Sequence, residues 1–86
     1  LIGLQRFDDE KGTYIHLLNY NYNAETDRVD ALPEVTLTVR DAFGTNIEIF
    51  DFMNAGVSYN MTQVSEGLMR FVFKNVGLYT VLRLYV

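Results

Sequence analysis

The sequence predicts an all-β fold, an antiparallel β-sandwich of about seven short strands. Short segments rich in β-branched and aromatic residues alternate with turns of Gly, Asn and Asp, and no helical periodicity persists beyond one turn. The 86 residues are 49% hydrophobic and 14% aromatic, which supplies enough apolar area for the core of one small domain, residues 1–86. A barrel would share this pattern, and the sandwich is the commoner solution.

The N-terminal part of the chain contains two predicted strands and one long loop. Residues 1–7 form a strand that ends at the polar turn 8–12. Residues 13–20 (TYIHLLNY) form the second strand, but their apolar side chains do not alternate cleanly. This indicates a strand that is covered on both faces or interrupted by a bulge. Residues 21–33 are polar and acidic, contain the only proline, and predict an irregular loop.

The clearest strand is residues 34–40 (EVTLTVR), because apolar and polar side chains alternate there with a period of two. This pattern places Val35, Leu37 and Val39 on the buried face. The same pattern in the second half of the chain points Met69, Phe71 and Phe73 inward. The other predicted strands are residues 46–52, 57–61, 68–74 and 78–86, separated by turns at 41–45, 54–56, 65–67 and 75–77.

Charge and composition exclude several classes of function. The formal net charge is −4 and the seven Lys and Arg are scattered singly, so the sequence predicts neither a nucleic acid partner nor an anionic membrane. No apolar run approaches the about 18–20 residues that span a bilayer. Because the chain has no cysteine, it has neither a disulfide framework nor a thiolate zinc site.

The residues also predict no catalytic site and no cofactor. His16 is the only histidine, and a strand histidine that is hydrogen-bonded to a neighbour is the simplest interpretation of it. Carboxylates group at residues 8–10, 25–30 and 48–51, and the first two groups lie in predicted loops, where carboxylates are solvated. We therefore predict that this domain alone is not an enzyme.

Residues 19–27 (NYNYNAETD) are the most distinctive segment. Oxygen-bearing side chains alternate there as in a calcium loop, but most are neutral amides and Ala24 stands where an EF-hand needs glycine, so we predict no metal site. In a second interpretation, tyrosines stack on sugar rings while amides bond hydroxyl groups. The candidate carbohydrate contacts are Asn19, Tyr20, Asn21, Tyr22 and Asn23. In a third, the tyrosines pack over the sandwich edge and the asparagines bond the loop backbone.

Three stretches, YIHLLNY, EVTLTVR and GLYTVLRL, resemble the C-terminal β-sandwich domains of bacterial glycoside hydrolases of the β-galactosidase-like or fucosidase-like kind. The resemblance implies a non-catalytic accessory domain that braces a catalytic TIM barrel or an inter-subunit interface. It implies a catalytic domain of the same parent chain as the partner, and it favours an extracellular or periplasmic location. The chain also starts at Leu1 inside a predicted strand, which predicts the C-terminal part of a longer protein.

Two rival functions remain open at the level of the sequence. One is a carbohydrate-binding module that uses Tyr20 and Tyr22, and the other is a cell-surface interaction domain. An exposed aromatic platform beside polar amides would favour the binding module. An exposed apolar patch would favour the accessory role, and the candidates for it are Phe43, Phe50, Phe52 and some of the tyrosines.

Overall fold

The computed structural model describes residues 2–52 and 56–86, and it shows an all-β, antiparallel sandwich. Leu1 and residues 53–55 lie outside the described residues, and with them most of the turn predicted at 54–56. The strands are β1 (Ile2–Asp9), β2 (Gly12–Asn19), β3 (Tyr22–Asn23), β4 (Arg28–Val29), β5 (Leu32–Arg40), β6 (Asn46–Phe52), β7 (Ser58–Ser65), β8 (Leu68–Val76) and β9 (Tyr79–Tyr85). In these two ranges no helix has the length and apolar character needed to cross a membrane.

Two main sheets form the layers of the sandwich. The first sheet has the strand order β1-β2-β9-β6, and the second has the order β5-β8-β7. All neighbouring strands are antiparallel. The core lies between the sheets, since the first contributes Ile15, Leu17, Leu82 and Leu84 and the second contributes Leu37, Val39, Met69, Phe71 and Phe73. Strands β3 and β4 form a separate short hairpin.

The burial of the residues in β2 explains why apolar and polar side chains do not alternate cleanly in its sequence. The strand pairs with β1 and β9 in a continuous register, and its residues alternate between buried and half-buried. The inward side chains are buried, while Tyr14, His16 and Leu18 on the outward face are half-buried. No bulge interrupts β2, and its outward face is covered only in part. The bulge lies instead in β7, where Val64 is the extra residue between two paired positions.

Strand β5 confirms the predicted alternation and extends it. Leu37 and Val39 are buried, Val35 is half-buried, and Thr36 is exposed. The strand begins earlier than predicted and includes Pro33, which an edge strand tolerates because an edge leaves half of its N–H groups outside the ladder.

Other boundaries differ from the predictions as well: β1 continues to Asp9 instead of ending at residue 7, and β8 continues to Val76 instead of ending at residue 74. Strand β7 covers Ser58–Ser65 instead of ending at residue 61. The loop predicted to be irregular throughout contains the β3–β4 hairpin, with Asp27 in the left-handed region at a φ of 53°. The turn is closed by side-chain bonds to backbone N–H groups, and these bonds leave no simple periodic signal in the sequence.

Polar side chains tie the two sheets together at one end. The guanidinium of Arg6 on β1 donates to the backbone oxygens of Arg40 and Asp41 at 2.6 and 3.0 Å, at the end of β5 in the other sheet. The buried hydroxyl of Thr13 donates to the Asp8 carboxylate at 2.6 Å and accepts from the backbone N–H of Phe43 at 2.8 Å. These bonds fix the loop between β5 and β6 against β1 and β2.

Candidate functional site

The outward face of the first sheet holds a continuous row of rings that crosses all four strands. His16 on β2 meets Phe7 on β1 edge-on, with ring centres 5.5 Å apart, and lies nearly parallel to Tyr79 of β9, with ring centres 5.8 Å apart. Phe52 on β6 stacks on Tyr79 at 4.9 Å, and Phe50 follows at 6.3 Å. We term this surface, formed by Phe7, His16, Phe50, Phe52 and Tyr79, the aromatic face.

The strand register places these rings together. His16 lies opposite Val81 of β9, and Val81 lies opposite Phe50 of β6. In the next outward row, Leu18 lies opposite Tyr79, which lies opposite Phe52. Phe50 and Phe52 are two residues apart in β6 and therefore point to the same side, so this part of the outward face carries apolar rings although the inward face is also apolar.

The aromatic face remains open to solvent. Phe7, Phe50 and Phe52 are 52%, 40% and 46% exposed, although each lies beside another ring. Half-exposed phenylalanines that adjoin one another on one surface are the kind of apolar patch that marks an interaction site. This surface is therefore the candidate functional site of the domain.

A hydrogen bond orders the centre of the aromatic face. The Nδ1 atom of His16 lies 2.5 Å from the hydroxyl oxygen of Tyr79, and the planes of the two rings are 21° apart. This agrees with the prediction of a strand histidine bonded to a neighbour. Within the parts of the chain that the structure describes, no three His, Asp or Glu residues are grouped to hold a metal ion. The contacts of His16 are therefore those of a packed ring.

A polar row borders the aromatic face on one side. Arg83 donates to the Glu48 carboxylate at 2.8 Å and lies over the ring of Tyr85, with its guanidinium carbon 4.3 Å from the ring centre. The bond to Glu48 raises the pKa of Arg83 above its ordinary value. An apolar centre with a charged, hydrogen-bonded border is the usual composition of a protein–protein contact surface.

Tyr20 extends the aromatic face at the opposite corner. A Cβ atom at Gly3 would lie 2.8 Å from the Tyr20 ring, so the ring lies against the β1 backbone in space that only glycine leaves free. Tyr20 is nevertheless exposed. A shallow depression of about 250 Å³ adjoins it, lined by Gly3, Leu4, Gln5, His16, Leu18 and Tyr20.

The predicted carbohydrate contacts fall into two groups in the structure. Asn19 is fully buried, and its amide nitrogen donates to the backbone oxygens of Asp30 and Val76 at 2.9 and 3.0 Å. Asn21 donates its backbone N–H to Asn19, and Asn23 accepts from the backbone N–H groups of residues 25 and 26. These amides hold the loop together, as in the interpretation that the asparagines bond the loop backbone.

The two tyrosines of this segment have different surroundings. The Tyr22 hydroxyl donates to the Asp27 carboxylate across the β3–β4 hairpin, which raises the pKa of Tyr22. Tyr20 instead joins the depression beside His16. Only Tyr20 among the five candidates therefore adjoins the aromatic face, and whether any of them contacts a sugar stays a prediction.

Phe43 lies away from Phe50 and Phe52, the residues with which the sequence grouped it. It lines a cavity of about 330 Å³ at the end of the sandwich, formed by the loop after β5 and the turn between β7 and β8. Sequence reasoning named Phe50 and Phe52, covered Tyr79 only by including some of the tyrosines, and missed Phe7. The local signal for Tyr79 is an aromatic residue at an outward position of a strand whose inward residues Leu82 and Leu84 are apolar.

Comparisons with protein-family models, with curated proteins and with solved structures gave no match. The fold and the aromatic face are thus the basis for a functional proposal, together with the resemblance in the sequence.

Proposed function

We propose that this chain is a non-catalytic accessory β-sandwich of a carbohydrate-active enzyme, a glycoside hydrolase, and that it braces the catalytic domain through the aromatic face. The observation that carries the proposal is the row of half-exposed phenylalanines Phe7, Phe50 and Phe52 around the His16–Tyr79 pair. The resemblance of the strands to such accessory domains supplies the class of the partner. The same face could equally meet a neighbouring subunit of that enzyme.

The free energy available at this face favours contact with protein. A phenylalanine side chain offers about 150–250 Å² of area, and burial of the exposed half of one ring at about 25 cal/mol per Å² contributes on the order of 2 kcal/mol. Three such rings on one surface match the central anchor cluster of an interface. The Arg83–Glu48 pair then lies at the polar border of the contact.

The rings of the aromatic face lie nearly parallel to their neighbours. Phe52 and Tyr79 have planes 18° apart and centres 4.9 Å apart, and Phe50 and Phe52 have planes 25° apart and centres 6.3 Å apart. A protein surface with apolar side chains covers such rings whatever the orientation of their planes, because the burial of apolar area is not directional.

A substitution at the centre of the patch tests the bracing role. Phe52→Ser should lower the unfolding midpoint of the complete protein encoded by the open reading frame more than it lowers that of the 86-residue chain. Phe43→Ser is the matched control, since Phe43 is also an exposed ring but lies at the end of the sandwich. Equal effects of Phe52→Ser in both proteins, or a reading frame without a second domain, would contradict the proposal.

Carbohydrate binding at the Tyr20 corner is the second candidate function. The depression there combines the Tyr20 ring with the Gln5 amide and the His16 imidazole. Its volume of about 250 Å³ lies below the range of about 300–1,000 Å³ typical of ligand pockets, so it suits a single sugar unit. An NMR titration with oligosaccharides should then shift Gly3, Gln5 and Tyr20 saturably. Tyr20→Ala should abolish these shifts and Tyr22→Ala should not; a spectrum unchanged by every sugar would exclude this candidate.

A further inference from the structure

Strand β7 is an open sheet edge that differs from the other three edges of the sandwich. The edge strands of the two main sheets are β1, β6, β5 and β7. Three of them carry the charges or the proline that protect natural edges against pairing: Arg6 and Asp8 in β1, Glu48 and Asp51 in β6, and Pro33, Glu34 and Arg40 in β5. The sequence of β7, SYNMTQVS, contains no residue that is charged at neutral pH and no proline.

The side chains of β7 are exposed to solvent, and one side of its backbone has no neighbouring strand in the sheet. All eight residues of the strand are exposed. Tyr59 and Met61 lie opposite the buried residues Phe73 and Phe71 of β8 and so belong to the core side of the sheet, yet they are 40% and 38% exposed. The core thus ends at β7 with two partly uncovered apolar side chains.

We propose that β7 pairs antiparallel with β7 of a second copy of this chain, and that the two three-stranded sheets join into one sheet of six. A two-fold axis at Asn60 keeps core-side residues together, because it places Tyr59 of each copy opposite Met61 of the other and Ser58 opposite Thr62. Tyr59 and Met61 then cover one another, and a ring beside a thioether is a favourable contact. This proposal does not depend on the proposed function.

The partner strand is the β7 of a second copy because the free edge of β7 can pair with an identical edge. The chain carries a net charge of −4, so two copies repel one another in general, but β7 adds no charge to the contact. The bulge at Val64 lies outside the five residues from Ser58 to Thr62 that pair in this register. Assembly stops at two copies, because the new sheet ends on both sides in β5 with its proline and its charges.

A charge placed on the two-fold axis tests the proposal. Sedimentation velocity on the 86-residue chain should show a concentration-dependent dimer. Asn60 is exposed on the outward face, so Asn60→Lys leaves the fold intact while it sets two lysines opposite one another, and the dissociation constant should rise about fivefold. Asn60→Glu should do the same, and an equimolar mixture of both variants should restore the dimer. Thr36→Lys, at an exposed position of the β5 edge in the same sheet, is the matched control and should dimerise like the original chain.

Hydrogen exchange locates the contact independently. Backbone amides within Ser58–Thr62 should become more protected as the chain concentration rises, while the amides of the exposed β5 edge stay unchanged. A chain that remains monomeric at about millimolar concentration would overturn the proposal. So would an Asn60→Lys variant that dimerises as well as the original, since the contact would then lie on another surface.

Discussion

Thr13 and Thr80 are both fully buried but differ in what their hydroxyl groups bond. The Thr13 hydroxyl donates to Asp8 and accepts from the backbone of Phe43. The Thr80 hydroxyl has no hydrogen-bond partner within the described part of the chain. A buried polar group without a partner costs about 1–3 kcal/mol, whereas a satisfied one contributes about 1 kcal/mol to stability.

The same substitution at these two positions should therefore change stability in opposite directions. Thr80→Val removes the unsatisfied hydroxyl at almost constant volume and should raise the free energy of unfolding by up to about 1 kcal/mol. Thr13→Val breaks two bonds and should lower it by about 1–3 kcal/mol. Urea denaturation of both variants measures the difference. A loss of stability in Thr80→Val as large as in Thr13→Val would show that the Thr80 hydroxyl has a partner.

Asp8 makes part of the stability depend on pH. The hydrogen bond from Thr13 is the main cause that lowers the pKa of Asp8 below its ordinary value of 3.8, and Arg6 adds to it against the opposing effect of desolvation. Because the folded-state pKa is the lower one, this stabilisation is complete above 3.8 and is lost as the pH falls through the folded-state value.

Asp8→Asn should therefore flatten the acid dependence of stability. The variant should be less stable than the original chain near neutral pH, and the difference should shrink below pH 3.8. Thermal unfolding at a series of pH values measures this. A difference that stays constant across the acid range would contradict the assignment.

Among the elements, β5 allows a comparison of the stability changes caused by substitutions on the two faces of one strand. Leu37 is a core residue and Thr36 beside it is exposed. Leu37→Ala should therefore lower the free energy of unfolding by about 2–4 kcal/mol, while Thr36→Ala should change it by less than about 0.5 kcal/mol. Chemical denaturation measures both, and small, equal effects would mean that the two faces are assigned the wrong way round.

The loop between β5 and β6 depends on one glycine. Gly44 has a φ of 135°, and a Cβ atom there would lie 2.3 Å from the backbone carbonyl carbon of Tyr85. Gly44→Ala should thus cost more than the about 1–3 kcal/mol of backbone strain alone. Gly56 is the matched control: its φ is 82°, and no atom of the described residues lies within 4 Å of an added Cβ, so its alanine variant should lose only the free energy of backbone strain. Equal losses of stability in both variants would contradict the close approach to Tyr85.

The sequence predicted the strands well because each depends on local information. Residues 34–40 alternate, the turns carry Gly, Asn and Asp, and all seven predicted strands exist. The β3–β4 hairpin escaped prediction because two-residue strands have no period to detect. The aromatic face escaped because its rings come from β1, β2, β6 and β9, and only the order of strands in the sheet makes Phe7, His16 and Phe52 members of one surface.

At the scale of the whole molecule, the two proposed contacts use different sheets. The aromatic face lies on the outward side of the first sheet, and β7 lies at the edge of the second. A second copy paired through β7 therefore leaves the aromatic face free for another domain. Each contact can be removed without the other, by Phe52→Ser at the face or Asn60→Lys at the edge.

Hydroxyl-radical footprinting of the complete protein tests the central claim, that the aromatic face is covered by another domain. Oxidation rates of Phe7, Phe50 and Phe52 should fall severalfold in the complete protein relative to the 86-residue chain. The exposed rings of Tyr22 and Phe43 are internal references and should react equally in both. Equal oxidation of the three phenylalanines in both proteins would show that the face remains open to water, and the bracing function would then be wrong.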